Sequence, residues 1–191
     1  MIRTNTRVWF VCLLLASLPL GCAYAPPDMI ARTQGTVSRP PSPFSQAAAV
    51  VAPVTGVHTS FWQMVNGDVM VQMSTFREAL IQSLRHSDLF GSVSGEGAGR
   101  YVLRAEIMKQ DKFANGATLS VRYVLADTSV GQVLFTAEVE TSSTLTEDSA
   151  PGASLLNLKT SISRAAFRAA GKNIEAMLGK LRTIEAPAGR E

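Results

Sequence analysis

The sequence predicts an α+β fold, a two-layer sandwich in which an antiparallel sheet of about four strands carries two helices on one face. Three consecutive runs alternate apolar and polar residues, the period of a strand with one buried face. Two other runs repeat apolar residues every three or four positions, which is typical of helices packed along one side. The order strand, helix, three strands, helix predicts helices segregated from a strand meander.

The first strand and the first helix follow residue 47, where the composition becomes apolar. Residues 50–57 are rich in valine and contain Pro53, so we expect a strand at a sheet edge, because proline cannot donate to a ladder. A helix is predicted next, and its inner face comprises Val69, Met73, Phe76, Leu80 and Leu84. Thr75 and Glu78 have the spacing of a capping box, which places the start of the regular helix at Thr75. Its end is expected near Ser87.

The three alternating runs predict a meander of neighbouring strands. Their buried faces comprise Tyr101, Leu103, Ala105 and Ile107, then Leu119, Val121, Tyr123 and Leu125, then Val133, Phe135, Ala137 and Val139. Asn115-Gly116 and residues 127–131 have the composition of hairpin turns.

The longest helical pattern is Leu155 to Leu181, after a loop at 146–152. Its inner face is predicted to comprise Ile162, Ala166, Ala170, Ile174, Met177 and Leu181. The small residues in its centre let the helix lie close to a neighbouring element.

The amino terminus resembles a bacterial lipoprotein export signal. Two arginines precede an apolar stretch of 13 residues at positions 8–20, short of the ~20 needed to span a bilayer. Gly21 and Cys22 occupy the two central positions of a lipobox, although Pro19 replaces the usual leucine three residues before Cys22. This resemblance implies acylation of Cys22, and two or three acyl chains hold a protein durably in a membrane. The alternative is ordinary cleavage after Ala25, which Pro26 disfavours.

These features divide the chain into a signal peptide at 1–21, a lipidated, proline-rich tether at 22–46, an α+β domain at 47–182 and a disordered tail at 183–191. A disordered leader whose length matters little is the alternative for the tether. Cys12 lies in the part that is removed, so the mature domain has no thiol left for a disulfide. Removal of the signal lowers the net charge from +3 to +1, and nothing in the overall charge indicates a nucleic acid partner.

Candidate catalytic residues are few, and we expect no enzymatic activity, no metal site and no cofactor. Only His58 and His86 offer imidazole bases, each expected at the end of an element, and no G-x-S-x-G motif occurs. The glycine-rich run at 95–99 leads into a strand instead of opening a helix, which indicates a connection and not a phosphate site.

Two features are candidates for binding. One is a set of basic residues at four-residue steps on one face of the last helix: Arg164, Arg168 and Lys172. This face either binds lipid phosphates or an acidic partner, or is simply a solvated helix surface. Trp62 either packs on the end of the sheet or lies at the rim of a small apolar pocket.

The chain resembles a broad group of small bacterial envelope lipoproteins, over about residues 50–181. The order of its elements behind a lipobox and a short linker carries this resemblance. More closely, the chain is similar to a set of uncharacterised proteobacterial lipoproteins that share Trp62 before the first helix, an F-x-x-A-L-x-x-S-L pattern at 76–84 and the strand sequence YVLRA at 101–105. The group includes the lipopolysaccharide-assembly lipoprotein LptE, the auxiliary lipoproteins of ABC-type lipid transport systems and TolB amino-terminal-like domains.

This resemblance implies a lipid-anchored, periplasm-facing module of the outer membrane that binds an envelope protein and supports transport of lipid or lipopolysaccharide. Ala23 after the modified cysteine, in place of aspartate, fits the group's expected transfer to the outer membrane. The alternative is a tethered lipoprotein that regulates a peptidoglycan-synthesis enzyme.

Overall fold

The computed structural model describes residues 25–31, 42–57, 71–113, 116–144 and 155–184, with side chains of the last helix from Ser163 onward. One sheet contains β1 (Ala48–Val51), β2 (Thr55–Gly56), β3 (Ser92–Ser94), β4 (Tyr101–Phe113), β5 (Gly116–Asp127) and β6 (Gln132–Thr144). The helices are α1 (Met73–His86) and α2 (Leu155–Leu181). A short 3-10 turn spans Pro27–Met29. The α+β class and the two helices are therefore confirmed.

The sheet has the order β3-β1-β4-β5-β6, and β2 also pairs with β4. Strands β4, β5 and β6 form the predicted antiparallel meander, in which Leu103 lies opposite Leu125, and Val121 opposite Val139. In contrast, β1 runs parallel to both β3 and β4. The reason is the position of α1, which follows β1 and returns the chain so that β3 runs in the same direction. The sheet is consequently mixed, with six strands among the described residues.

The first strand is interrupted at Pro53. Instead of one strand over residues 50–57, the chain forms β1 and then β2, and Pro53 lies between them. Since Pro53 is outside both ladders, it removes no donor from β1, which occupies an interior position between β3 and β4. The edge position expected for this strand is therefore wrong for β1. The strand at this edge of the sheet is β3, which has three residues, too few for an alternating pattern to be recognised.

Helix α1 begins one turn earlier than the capping box predicted. Gln72 is its N-cap and makes no side-chain capping bond, while Thr75 already lies within the helix. Glu78 instead accepts a hydrogen bond from Gln82 at 2.9 Å, so the capping-box prediction is wrong. The end is as predicted, since the Ser87 hydroxyl donates to the Leu84 carbonyl at 2.7 Å. Val69 lies outside the described residues.

Helix α2 has the predicted bounds, and its predicted inner face is confirmed from Ala166 onward, while the side chain of Ile162 lies outside the described residues. The inner-face residues that the structure describes are all at least 96% buried: Ala166, Ala170, Ile174, Met177 and Leu181. After the helix, Ile184 still packs against the core, so the tail does not begin at residue 183; residues 185–191 lie outside the description.

Phe44, in the segment predicted to be a tether, belongs to the core. Its side chain is fully buried, and its ring lies 5.4 Å from that of Phe90 and 5.1 Å from that of Tyr101. These three rings close the end of the sheet where β1, β3 and β4 begin. The domain therefore starts before residue 47, and residues 42–46 are not linker.

Candidate functional site

The segment Ala25–Ala31 is docked into the domain. Ala25 is 1% exposed, Met29 is fully buried and Ala31 is 7% exposed, so the segment contributes to the same core as the helices and the sheet. The prediction that this stretch is a tether is wrong, because its apolar residues are removed from water on the folded domain.

Each of the two helices contributes one small residue to the contact with this segment. On α1, the buried hydroxyl of Ser83 accepts a hydrogen bond from the Ala31 amide at 2.9 Å. On α2, Gly171 lies so close to the segment that a Cβ atom there would be only 2.5 Å from the Asp28 carbonyl oxygen. The segment thus lies between α1 and α2, and we call these residues, 25–31, the docked segment.

Local sequence explains the turn inside the docked segment. Pro27 occupies the first position of the 3-10 turn and Asp28 lies in that first turn, both of which favour the start of a helix. The Met29 amide donates to the Pro26 carbonyl at 2.9 Å. The signal in the sequence was therefore Pro-Pro-Asp followed by the apolar pair Met29-Ile30, which the proline content of the whole stretch concealed.

The basic residues of α2 lie on its outer side. Arg164 and Lys172 are exposed and Arg168 is half-buried, whereas the alanines between them, at 165, 166, 169 and 170, are buried. The Lys172 ammonium donates to the Ser142 carbonyl, at the end of β6, at 3.3 Å. We call Arg164, Arg168 and Lys172 the basic stripe, and its last member lies near the edge strand β6. All three residues lie on α2, and their predicted contact with an anion or a partner stays a prediction.

The other face of the sheet carries charged side chains that remain open to solvent. Arg104 is exposed, and Arg122 donates to Glu106 at 3.3 Å, with both of these side chains about 45% exposed. Nearby, the Ser120 hydroxyl donates to Glu138 at 3.3 Å. We call this surface the open face. Ion pairs so exposed contribute little to stability, and they leave a polar surface opposite the helix layer.

A buried polar cluster fixes α2 on the sheet. The Tyr123 hydroxyl donates to the Asn173 side-chain oxygen at 2.7 Å, and the Asn173 amide donates to the carbonyls of Val139 at 2.7 Å and Leu119 at 3.2 Å. Burial raises the pKa of Tyr123 well above its ordinary value, so its hydroxyl stays protonated. Every polar atom of this cluster has a partner, which indicates a structural role.

The candidate titratable groups have structural explanations where the structure describes them. The His86 ring makes a 2.6 Å hydrogen bond with the Gln82 carbonyl at the exposed end of α1. Hydrogen bonds from Ser129, and then the Arg100 guanidinium, lower the pKa of Asp127 at the β5–β6 turn. The glycine-rich run at 95–99 connects β3 to β4.

Three candidate residues, Cys22, Trp62 and His58, lie outside the described residues, and their predicted roles stay predictions. Among the residues that the structure describes, no three His, Cys, Asp or Glu side chains are grouped so as to hold a metal ion. No described helix is both long enough and apolar enough to cross a membrane.

Comparisons with known proteins show the fold but no family. No family model and no curated protein matches the chain. Among solved structures, the DUF330 protein XCC0632 from Xanthomonas campestris matches with a TM-score of 0.53 and 10% identity, over 82% of this chain and 95% of that one. The hypothetical protein CT253 from Chlamydia trachomatis matches with a TM-score of 0.50 and 14% identity, over 72% and 96%.

Lipoprotein GNA1162 from Neisseria meningitidis is more distant, with a TM-score of 0.30 and 12% identity over 71% of this chain and 97% of that one, too low to carry an inference. The likenesses to XCC0632 and CT253 establish a shared α+β architecture. An LptE-like or TolB-like family is not shown, and that resemblance stays a prediction.

Proposed function

We propose that the protein is a lipid-anchored, periplasm-facing binding or assembly module of the cell envelope. In this proposal acyl chains on Cys22 hold it in the outer membrane, and it supports a protein complex that moves lipid or lipopolysaccharide. It acts by contact and not by catalysis.

The docked segment is the observation that supports the anchor. Cleavage before Cys22 keeps the whole docked segment in the mature protein, whereas cleavage after Ala25 would remove a residue that is 1% exposed in the core. The cut that creates a lipidated amino terminus is therefore also the cut that retains every buried residue of the docked segment. This supports the lipoprotein signal over the ordinary one.

The open face supports a binding role. Arg104, the Arg122–Glu106 pair and Glu138 place charges of both signs on one side of the sheet. Such a surface suits a polar protein partner, since complementary charges steer association and select the partner.

The docked segment also bears on the alternative function. A regulator that reaches its enzyme on a long tether needs a free chain between the lipid and the domain. Only three peptide units separate Cys22 from Ala25, which span at most about 11 Å. The long free chain that a regulator needs is therefore absent between Cys22 and the docked segment, and we retain the transport-related module.

Membrane fractionation tests the anchor. Cys22→Ser is expected to release the protein from the membrane fraction, because no acyl chain can be attached. The matched control is Cys12→Ser, which changes the only other cysteine and lies in the removed signal. The anchor is refuted if Cys22→Ser stays in the membrane as the control does.

Crosslinking in native membranes tests the partner class. Capture of components of a lipid or lipopolysaccharide transport system supports the proposal. Capture of peptidoglycan-synthesis enzymes alone would instead establish the alternative. Replacing Arg104 and Arg122 by Glu is expected to reduce capture of the specific partner, since both side chains belong to the open face.

A further inference from the structure

The docked segment determines which side of the domain lies nearest to the lipid anchor. The α-carbon of Ala25 lies within about 11 Å of that of Cys22, because three peptide units extend no further. Ala25 itself is fixed in the core, at 1% exposure. If Cys22 carries the lipid, the surface around Ala25 is held at the headgroup region of the bilayer, which is only about 5–7 Å thick on each side.

That surface belongs to the helix layer. The docked segment contacts Ser83 on α1 and passes against Gly171 on α2. Both helices pack on one face of the sheet, and the open face lies on the other side. The anchor therefore leaves the domain from its helix side.

The charge on α2 matches this orientation. Arg164, Arg168 and Lys172 line the outer side of the helix, over a length of about 12 Å at 1.5 Å per residue. The contact from Lys172 to the Ser142 carbonyl is long and exposed, and an ammonium group has two further donors for a phosphate. Each cation near an anionic lipid surface strengthens association roughly five-fold.

We propose that the helix layer of this protein lies against the membrane, with the basic stripe contacting anionic lipid headgroups, and that the open face is thereby presented away from the bilayer. This orientation rests on the lipid anchor of the proposed function. It assigns the two surfaces different partners: the outer side of α2 binds lipid phosphates, and the open face is left for protein.

Single-cysteine labelling distinguishes the two sides. Once the signal is removed and Cys22 is acylated, no other thiol remains, so an introduced cysteine is labelled alone. Gly179→Cys places a fluorophore on the exposed outer side of α2, two turns beyond Lys172, where a Cβ meets nothing within 4 Å. Arg104→Cys places the same fluorophore on the open face.

The lipidated proteins are reconstituted in vesicles of phosphatidylcholine and phosphatidylglycerol that contain headgroup spin-labelled lipid. Quenching is expected to be severalfold stronger at position 179 than at position 104. Adding Arg164→Glu and Arg168→Glu to the Gly179→Cys protein is expected to weaken its quenching, whereas Arg122→Glu, a reversal on the open face, is the matched control and should not.

Equal quenching at the two positions, or stronger quenching at position 104, overturns the orientation. So does quenching at position 179 that is unchanged by the double reversal. Failure of the proposed function gives a different result, because the Cys22→Ser protein then stays in the membrane fraction as the Cys12→Ser control does. A protein that is anchored through Cys22 but quenched equally on both sides keeps its anchor and loses the orientation.

Discussion

Replacing Gly171 by Ala is the most direct perturbation of the docked segment. The added Cβ would lie 2.5 Å from the Asp28 carbonyl oxygen and 3.5 Å from the Asp28 carbonyl carbon and the Met29 α-carbon. All three atoms belong to the backbone, so no flexible side chain can rotate away. Either the segment shifts by about 1 Å, to restore an ordinary contact distance of ~3.5 Å, or it leaves the helix.

Two opposite contributions decide the sign. In an open helix position, Gly→Ala stabilises by up to about 1 kcal/mol. Overpacking against backbone costs about 1–3 kcal/mol. Undocking instead exposes Met29, whose burial is worth about 1.5–3 kcal/mol, and also breaks the bond from Ala31 to Ser83. After the helix propensity is subtracted, about 0–2 kcal/mol remains for overpacking and at least about 0.5–2 kcal/mol for undocking. We therefore expect Gly171→Ala to lower the free energy of unfolding by up to about 2 kcal/mol.

Gly179 provides a control in the same helix. A Cβ there meets no atom within 4 Å, so Gly179→Ala is expected to leave stability unchanged or raise it by up to about 1 kcal/mol. Urea unfolding of the two variants measures the contrast, and hydrogen exchange of the Ala31 amide reports on docking. If Gly171→Ala matches Gly179→Ala in stability and keeps the Ala31 amide protected, the docked segment is not packed as described.

A double-mutant cycle separates docking from a local strain in α2. Ser83→Ala removes the acceptor of the Ala31 amide and should cost about 1–3 kcal/mol, because the amide is then left buried without a partner. If Gly171→Ala already displaces the segment, the second substitution adds little to the first, and the two costs are less than additive.

Two further predictions concern buried polar groups. Tyr123→Phe leaves the Asn173 side-chain oxygen without its donor and should cost about 1–3 kcal/mol in urea unfolding, whereas Arg104→Ala on the open face should change stability by less than about 0.5 kcal/mol. Asp127→Asn should destabilise at neutral pH but lose its effect in acid. The folded-state pKa of Asp127 is lowered, so its contribution is present above about pH 4 and disappears as the pH falls below it. If the difference in the free energy of unfolding between wild type and Asp127→Asn stays constant as the pH is lowered, the prediction is contradicted.

Periodicity was sufficient for most of the long elements. The exception is Val133, which was predicted on the buried face of β6 but is 56% exposed, because the pairing with β5 is irregular next to it. Strand β4 buries Leu103 and Ile107 and exposes Arg104 between them, as its alternation predicts. Helix α2 begins and ends at the predicted residues because its apolar positions recur over seven turns. Each pattern extends over enough residues for the buried face to be recognised without knowledge of its partner.

The short strands were not predicted, because their patterns extend over too few residues. Strand β3 has three residues and β2 has two, fewer than one needs to distinguish an alternating pattern from chance. Since the parallel pairing of β1 with β3 could not be predicted without β3, the sequence did not indicate a mixed sheet. The capping box failed because helix α1 starts at Met73, where packing of the first turn against the core outweighs a local capping preference.

The docked segment was missed because its own signal is concealed by the surrounding prolines, and because the residues that accommodate it lie in the two helices. Five prolines among residues 26–43 indicate a tether on composition alone. What binds the segment is a glycine in the middle of α2 and a buried serine in α1, two residues that disfavour a helix interior and therefore need a tertiary reason. Gly171 costs α2 up to about 1 kcal/mol in helix propensity, and the close approach of Asp28 offsets that cost. A small residue within a long, otherwise strong helix is thus a signal that another part of the chain lies against it.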